Sequence, residues 1–105
     1  MLDLLIQNAR IVDGTGMPAY YSHVGIREGK IAVIAPVVKE EAKEIIDAKG
    51  LYVGPGLVDI HCHAGDQVRF EHEPLRAAKA HLVRGTTSVL ATTGDARKPE
   101  EYVQI

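Results

Sequence analysis

Between residues 57 and 92 the chain reads as strand, helix, strand, and that order constrains its fold more than any other feature. Leu57 to Cys62 is a short apolar strand that follows the break Gly54-Pro55-Gly56. Pro74 to Arg84 has helical spacing, with Leu75, Ala78 and Leu82 on one stripe. Pro74 suits the first helical turn, and Gly85 suits the position just past the last. Thr86 to Thr92 is rich in β-branched residues and predicts a second strand. Two strands joined by a helix within about 36 residues make a βαβ unit, for which parallel pairing is expected.

Residues 1 to 53 follow a different grammar. Short apolar runs at Leu4-Leu5-Ile6, Ala9 to Val12, Tyr21 to Arg27, Ile31 to Ala35, Ile45 to Asp47 and Leu51 to Val53 are separated by turn signals. Asp13-Gly14-Thr15-Gly16 marks one turn, and Glu28-Gly29-Lys30 marks a tight hairpin. Ser22, Val24 and Ile26 alternate with His23, Gly25 and Arg27, so each set lines one face. Six short strands predict a small sheet or sandwich. The expected division is a strand-rich domain over 1–54 and the start of an α/β domain over 55–105.

Composition narrows the function classes. The 105 residues are 46% apolar and 25% charged, as in ordinary globular domains rather than disordered ones. A net charge of −2 leaves no electrostatic footprint for nucleic acid. No apolar run approaches the roughly 18 residues of a membrane span. Met1 to Ile6 carries Asp3 where a signal peptide would carry Lys or Arg. Cys62 is the single cysteine and cannot form an internal disulfide. A cytoplasmic protein without nucleic-acid or membrane partners is the expectation. Residues 99 to 105 read as the opening turn of a helix, with Pro99 near its start, which makes a truncated domain the expectation as well.

The chemistry concentrates in His61 and His63. Side chains alternate along a strand, so Asp59, His61 and His63 are expected on one face and Val58, Ile60 and Cys62 on the other. The second face is apolar and suits packing against the helix. The first becomes polar toward the carboxyl end of the strand, where parallel α/β barrels carry their sites. Two imidazoles two residues apart can converge on one divalent ion. Asp59 lies one step deeper, as an acceptor that fixes a histidine tautomer or as a direct ligand. A His-x-His pair also arises by chance. The preceding Pro-Gly, the Asp two residues earlier and the following helix–strand unit favour the metal site. Cys62 is expected to be a small buried residue, His81 to line an exposed helix face, and His23 to be structural or exposed. His72 lies beside the helix. Thr92-Thr93-Gly94, at the end of the second strand, lies on the expected active face.

The run Pro55-Gly56-Leu57-Val58-Asp59-Ile60-His61-Cys62-His63 resembles the opening metal motif of the amidohydrolase superfamily. Leu4-Leu5-Ile6 through Ile11-Val12-Asp13-Gly14, then Val24 to Ile31, resemble the small β-sandwich that precedes the barrel in these enzymes. Ile45-Ile46-Asp47-Ala48-Lys49-Gly50 and Val53-Gly54 resemble the usual lead-in. Arg84 to Thr93 is similar to the second barrel strand of N-acetylglucosamine-6-phosphate deacetylases, and Val12 to Gly16 to the start of N-acyl-D-amino-acid deacylases. Ala64-Gly65-Asp66-Gln67 departs from both patterns, and dihydroorotase-like and adenine-deaminase-like relatives stay open.

The resemblance implies an α+β chain, the N-terminal part of a small β-sandwich followed by the first βαβ unit of a TIM-like (β/α)8 barrel. It implies hydrolysis of C–N bonds in a small-molecule amide by one or two divalent ions, usually zinc. A deacetylase or deacylase is expected, acting as a homo-oligomer. His61 and His63 match the first two metal ligands, with Asp59 in support. The remaining ligands and the general base come from later barrel strands, so no catalytic residue is expected within this stretch. A barrel needs roughly 200 or more residues, and the isolated chain is expected to be inactive. The alternative is a non-catalytic α+β module that oligomerises or binds a partner chain to cover its sheet edges.

Overall fold

The computed structural model describes residues 1–92. The readings of Thr93-Gly94 and of residues 99 to 105 lie outside the described residues. The chain divides into two compact units, Met1–Pro55 and a second that begins at Gly56.

The first unit is a five-stranded mixed sheet. It comprises β1 (Leu2–Ile11), β2 (Tyr20–Arg27), β3 (Lys30–Ala35), β4 (Ala42–Asp47) and β5 (Tyr52–Val53). β1 is central, antiparallel to β2 and parallel to both β4 and β5. Two of the six expected strands are one strand with a bulge. Ile6 faces Val24 but Ala9 faces Ser22, so β1 carries one extra residue there. Asn8, at φ 54°, occupies that bulge. Its N–H donates to His23 Nδ1 at 3.0 Å, and its side-chain amide donates to Asp47 Oδ1 at 2.9 Å. His23 is thus structural, an acceptor for an amide the bulge takes out of the ladder. Ala9, Ile11, Val24 and Ala48 form the core, with Ile6, Ile26 and Val53 against it. Leu2 fills the space that Gly25 leaves open, since a Cβ there would stand 2.7 Å from a Leu2 methyl.

The hairpin at Glu28-Gly29 is the two-residue kind, with Arg27 opposite Lys30. Both central residues have positive φ, 51° and 71°, which matches the twist of the strands. Asp3 secures it, accepting from the Glu28 N–H at 2.7 Å and from Lys43 Nζ at 2.6 Å. Lys43 first, then the Glu28 amide, holds the Asp3 carboxyl below its ordinary range. The Asn8 side chain and the Lys49 N–H do the same for Asp47. Carboxylates depressed in this way stabilise the fold above their unfolded pKa of about 3.9, and that stabilisation is lost as pH falls through the folded value. The first unit should therefore hold its urea midpoint from about pH 7 to about pH 5 and lose it below about pH 4. The double substitution Asp3→Asn/Asp47→Asn should reduce that acid slope in urea titrations followed at several pH values.

The second unit comprises β6 (Leu57–Cys62), β7 (Ala64–Gly65), β8 (Val68–Arg69), α1 (Pro74–Leu82) and β9 (Thr86–Ala91). β6 and β9 pair in parallel across the helix, as the strand–helix–strand pattern predicts. Pro74 stands in the first turn, and Gly85 follows the helix at φ 92°. The buried helix face differs from the expected stripe. Leu75 and Leu82 are 67% and 58% exposed, whereas Ala77 is fully buried. The reason is the hairpin β7–β8, which the sequence reading did not anticipate. Its turn residues Asp66 and Gln67 both have positive φ without being glycine. A Cβ at Gly65 would lie 2.6 Å from the Ala77 carbonyl oxygen, so helix and hairpin approach closely enough to require small residues. Arg76 ties the turn to the helix, its Nε donating to Asp66 Oδ2 at 2.6 Å. The core here is Cys62, Phe70 and Ala77, with Val68 beside them. Val58 and Ile60, expected to pack on the helix with Cys62, are instead exposed.

Candidate metal centre

His61 sits near the carboxyl end of β6 and His63 just beyond it. Both side chains are exposed, yet they converge: the two Nε2 atoms are 3.1 Å apart, and the rings meet edge to face with centroids 4.9 Å apart. An extended strand would separate residues two apart by about 6.6 Å. The convergence coincides with a break in register. Asp59 faces Val89 and Cys62 faces Ala91, so β6 holds one extra residue between them. The sequence-based alternation of Asp59, His61 and His63 did not anticipate that break.

The geometry suits a shared ion. Zinc–nitrogen bonds measure about 2.0–2.1 Å, so two nitrogens 3.1 Å apart can both reach one metal. Imidazole nitrogens suit zinc, copper, nickel or iron rather than calcium or magnesium. Zinc centres draw on at least three protein ligands. Among the described residues no group of three or more His, Cys, Asp or Glu side chains comes together, so the pair alone falls short of the three protein ligands of a zinc centre.

The neighbouring groups have other occupations. Asp59 Oδ1 accepts the backbone N–H of His61 at 3.1 Å, a contact to the main chain where a bond to an imidazole was one expectation. Cys62 is buried, its Sγ 3.9 Å from the Leu90 carbonyl, and burial pushes its thiol pKa up. It behaves as the small core residue expected. His81 does not line an exposed face. It stacks on Phe70 with centroids 5.6 Å apart, and its Nε2 lies 2.9 Å from the Ala64 carbonyl oxygen. The Ala-lined helix face that turns inward carries His81 with it. His72 is exposed, in the turn before the helix. Thr92 closes the end of the strand pair: its N–H and hydroxyl both donate to the Cys62 carbonyl, at 2.7 and 3.3 Å.

A parallel strand pair with a crossover helix, bearing paired imidazoles at the carboxyl end of its first strand, is the arrangement of α/β proteins whose sites gather at strand ends. No family model matches the chain. Individual proteins do. A dihydroorotase from Streptococcus pneumoniae is 40% identical over 88 residues, which is 83% of this chain and 21% of that protein. An adenine deaminase from Kosmotoga olearia is 39% identical over 89 residues, covering 85% of this chain and 15% of the relative. Among solved structures, the N-acyl-D-glutamate deacylase from Bordetella bronchiseptica, complexed with zinc and a phosphonate inhibitor, is 35% identical with a TM-score of 0.68. It covers 86% of this chain and 18% of its own. The chain belongs to the amidohydrolase superfamily. It spans about a fifth of the length of the curated relatives it matches. Among the described residues no helix is long and apolar enough to cross a membrane.

Proposed function

We propose that this chain supplies the first two metal ligands, His61 and His63, of a hydrolase that cleaves non-peptide C–N bonds. The convergence of the two imidazoles to 3.1 Å at a strand end carries this reading. Zinc is the ion proposed; the donor chemistry and the zinc complex of the similar deacylase support it. When bound, such an ion lowers the pKa of a water and polarises a carbonyl oxygen. The chain's own part is to present the two rings from a fixed strand. Cys62 anchors that strand in the core, and Thr92 holds its end against β9.

The substrate is proposed to be a small cyclic amide or an acylated amine, a deacylase reaction included. Relatives named for dihydroorotate, adenine and N-acyl-D-glutamate chemistry share this segment at 35–40% identity, which supports a segment that holds metal and leaves substrate choice to other parts of the site. Residues 1–54 are proposed as strands of a separate sheet domain and 55–105 as the opening of the barrel. A cytoplasmic homo-oligomer completes the reading, supported by exposed Ile31 and Ile45 on edge strands β3 and β4.

The purified 105-residue chain should show no hydrolysis of amide substrates and no stoichiometric zinc after dialysis against a chelator, because two ligands are fewer than the three a zinc site uses. A longer product of the same gene should bind zinc and lose its amide hydrolysis on chelation. Stoichiometric, chelator-resistant zinc on the short chain, or chelator-insensitive hydrolysis by the longer one, would overturn the reading.

A further inference from the structure

Building on the metal-binding reading above, we propose that Asp59 is a positioning residue: its carboxylate holds the backbone bulge that aims His61 at His63, and it acts on the main chain rather than on the metal or a ring. Three observations meet at this point. β6 carries one extra residue between Asp59 and Cys62 relative to β9. The His61 N–H at that irregularity donates to Asp59 Oδ1 at 3.1 Å. Beyond it the two Nε2 atoms lie 3.1 Å apart and the ring centroids 4.9 Å apart, closer than the roughly 6.6 Å backbone repeat of two residues in an extended strand.

The physics is that of a side chain competing with a ladder. An Asp carboxylate can take the N–H two residues on, and so offers the backbone an alternative to sheet pairing. A bulge bends its strand, increases the local twist and re-aims a side chain. Once the bend is fixed by a short side chain attached to the same strand, the direction of His61 no longer depends on β9 alone. Asp59 is half-buried, while the bond to the His61 amide lies in an exposed part of the strand, so the carboxylate is what shields that amide. The His61 amide engages only Oδ1, so a ligand role would fall to Oδ2, and zinc titration separates that role from positioning.

Zinc titration of the purified chain, followed through the imidazole resonances of His61 and His63, separates the alternatives, with His61→Ala as the control for shared binding. Asp59→Asn keeps an oxygen acceptor and loses the charge. Asp59→Ala loses both. The expected result is that Asp59→Asn binds zinc within about threefold of the unsubstituted chain, while Asp59→Ala binds about tenfold more weakly, as loss of a ligand-orienting partner does. Without metal, the His61 amide should exchange slowly in the unsubstituted chain and in Asp59→Asn, and fast in Asp59→Ala. Comparable loss of zinc in both variants would assign the carboxylate a ligand or charge role and overturn the proposal. So would unchanged affinity and unchanged His61 exchange in Asp59→Ala. If that variant does not fold, Asp59→Asn decides alone, since a tenfold loss there contradicts positioning through the backbone. Should His61→Ala leave the zinc response of His63 unchanged, the shared metal site itself fails, while the exchange arm still decides what Asp59 does.

Discussion

Gly56→Ala is expected to destabilise the second unit by about 3 kcal/mol, the upper end of the range for overpacking. A Cβ on Gly56 would lie 2.0 Å from Thr87 Oγ1, 2.3 Å from Cγ2 and 2.6 Å from Cβ. Rotation about χ1 can move the first two atoms but leaves the third in place, and Thr is stiff at χ1 in any case. Relief must come from the backbone, where Leu57 starts the parallel pairing by donating to the Gly85 carbonyl at 2.9 Å. The register there is already irregular, with Thr87 the extra residue on β9 between the partners of Leu57 and Val58. Hydrogen exchange of β6 and β9 amides reads the loss directly and avoids assuming that both units unfold together. Thr87→Gly should relieve much of the cost of Gly56→Ala, giving a coupling of about 1–3 kcal/mol in the double-mutant cycle. Additive effects would mean that the strands do not approach as described.

His61→Ala or His63→Ala in a longer, active product of the gene should lower kcat/KM by about 10³-fold or more. A catalytic metal supplies several kcal/mol of charge stabilisation, and each 1.36 kcal/mol is about tenfold in rate. The two substitutions should not add, because either one removes the shared ion. The double variant should be no worse than about tenfold below the weaker single one. Metal content should fall with activity. Retention of both metal and rate in either single variant would remove that histidine from the site.

Much of this was legible because local chemistry and tertiary structure agree. Pro74 and Gly85 bracket the helix, Glu28-Gly29 turns a two-residue hairpin, and the β-branched run at Thr86 pairs in parallel with β6. Each is set by a backbone preference that a few residues carry alone. What escaped notice depends on contacts between segments. The helix face followed from how closely α1 approaches Gly65, which made Ala77 the buried residue and left Leu75 in solvent. The β7–β8 hairpin turns on Asp66 and Gln67, and no glycine signals it. The bulges at Asn8 and after Asp59 are visible only when one strand is laid against its partner. Asn8 offered a faint signal, since Asn tolerates positive φ better than most residues.

At the candidate site, alternation placed His61 and His63 on one side, and their rings do meet. It missed the irregularity that brings them together and the main-chain partner of Asp59. The relatives share this segment while bearing different substrate names. On the function proposed above, the histidine pair would hold the metal and substrate choice would rest with groups elsewhere in the site.

Anomalous diffraction at the zinc edge, from crystals of a longer gene product loaded with zinc, tests the central claim most directly. The account predicts an anomalous peak about 2.0–2.1 Å from the Nε2 atoms of both His61 and His63, with further ligands completing the coordination. A fully loaded zinc whose peak lies away from either imidazole would contradict it.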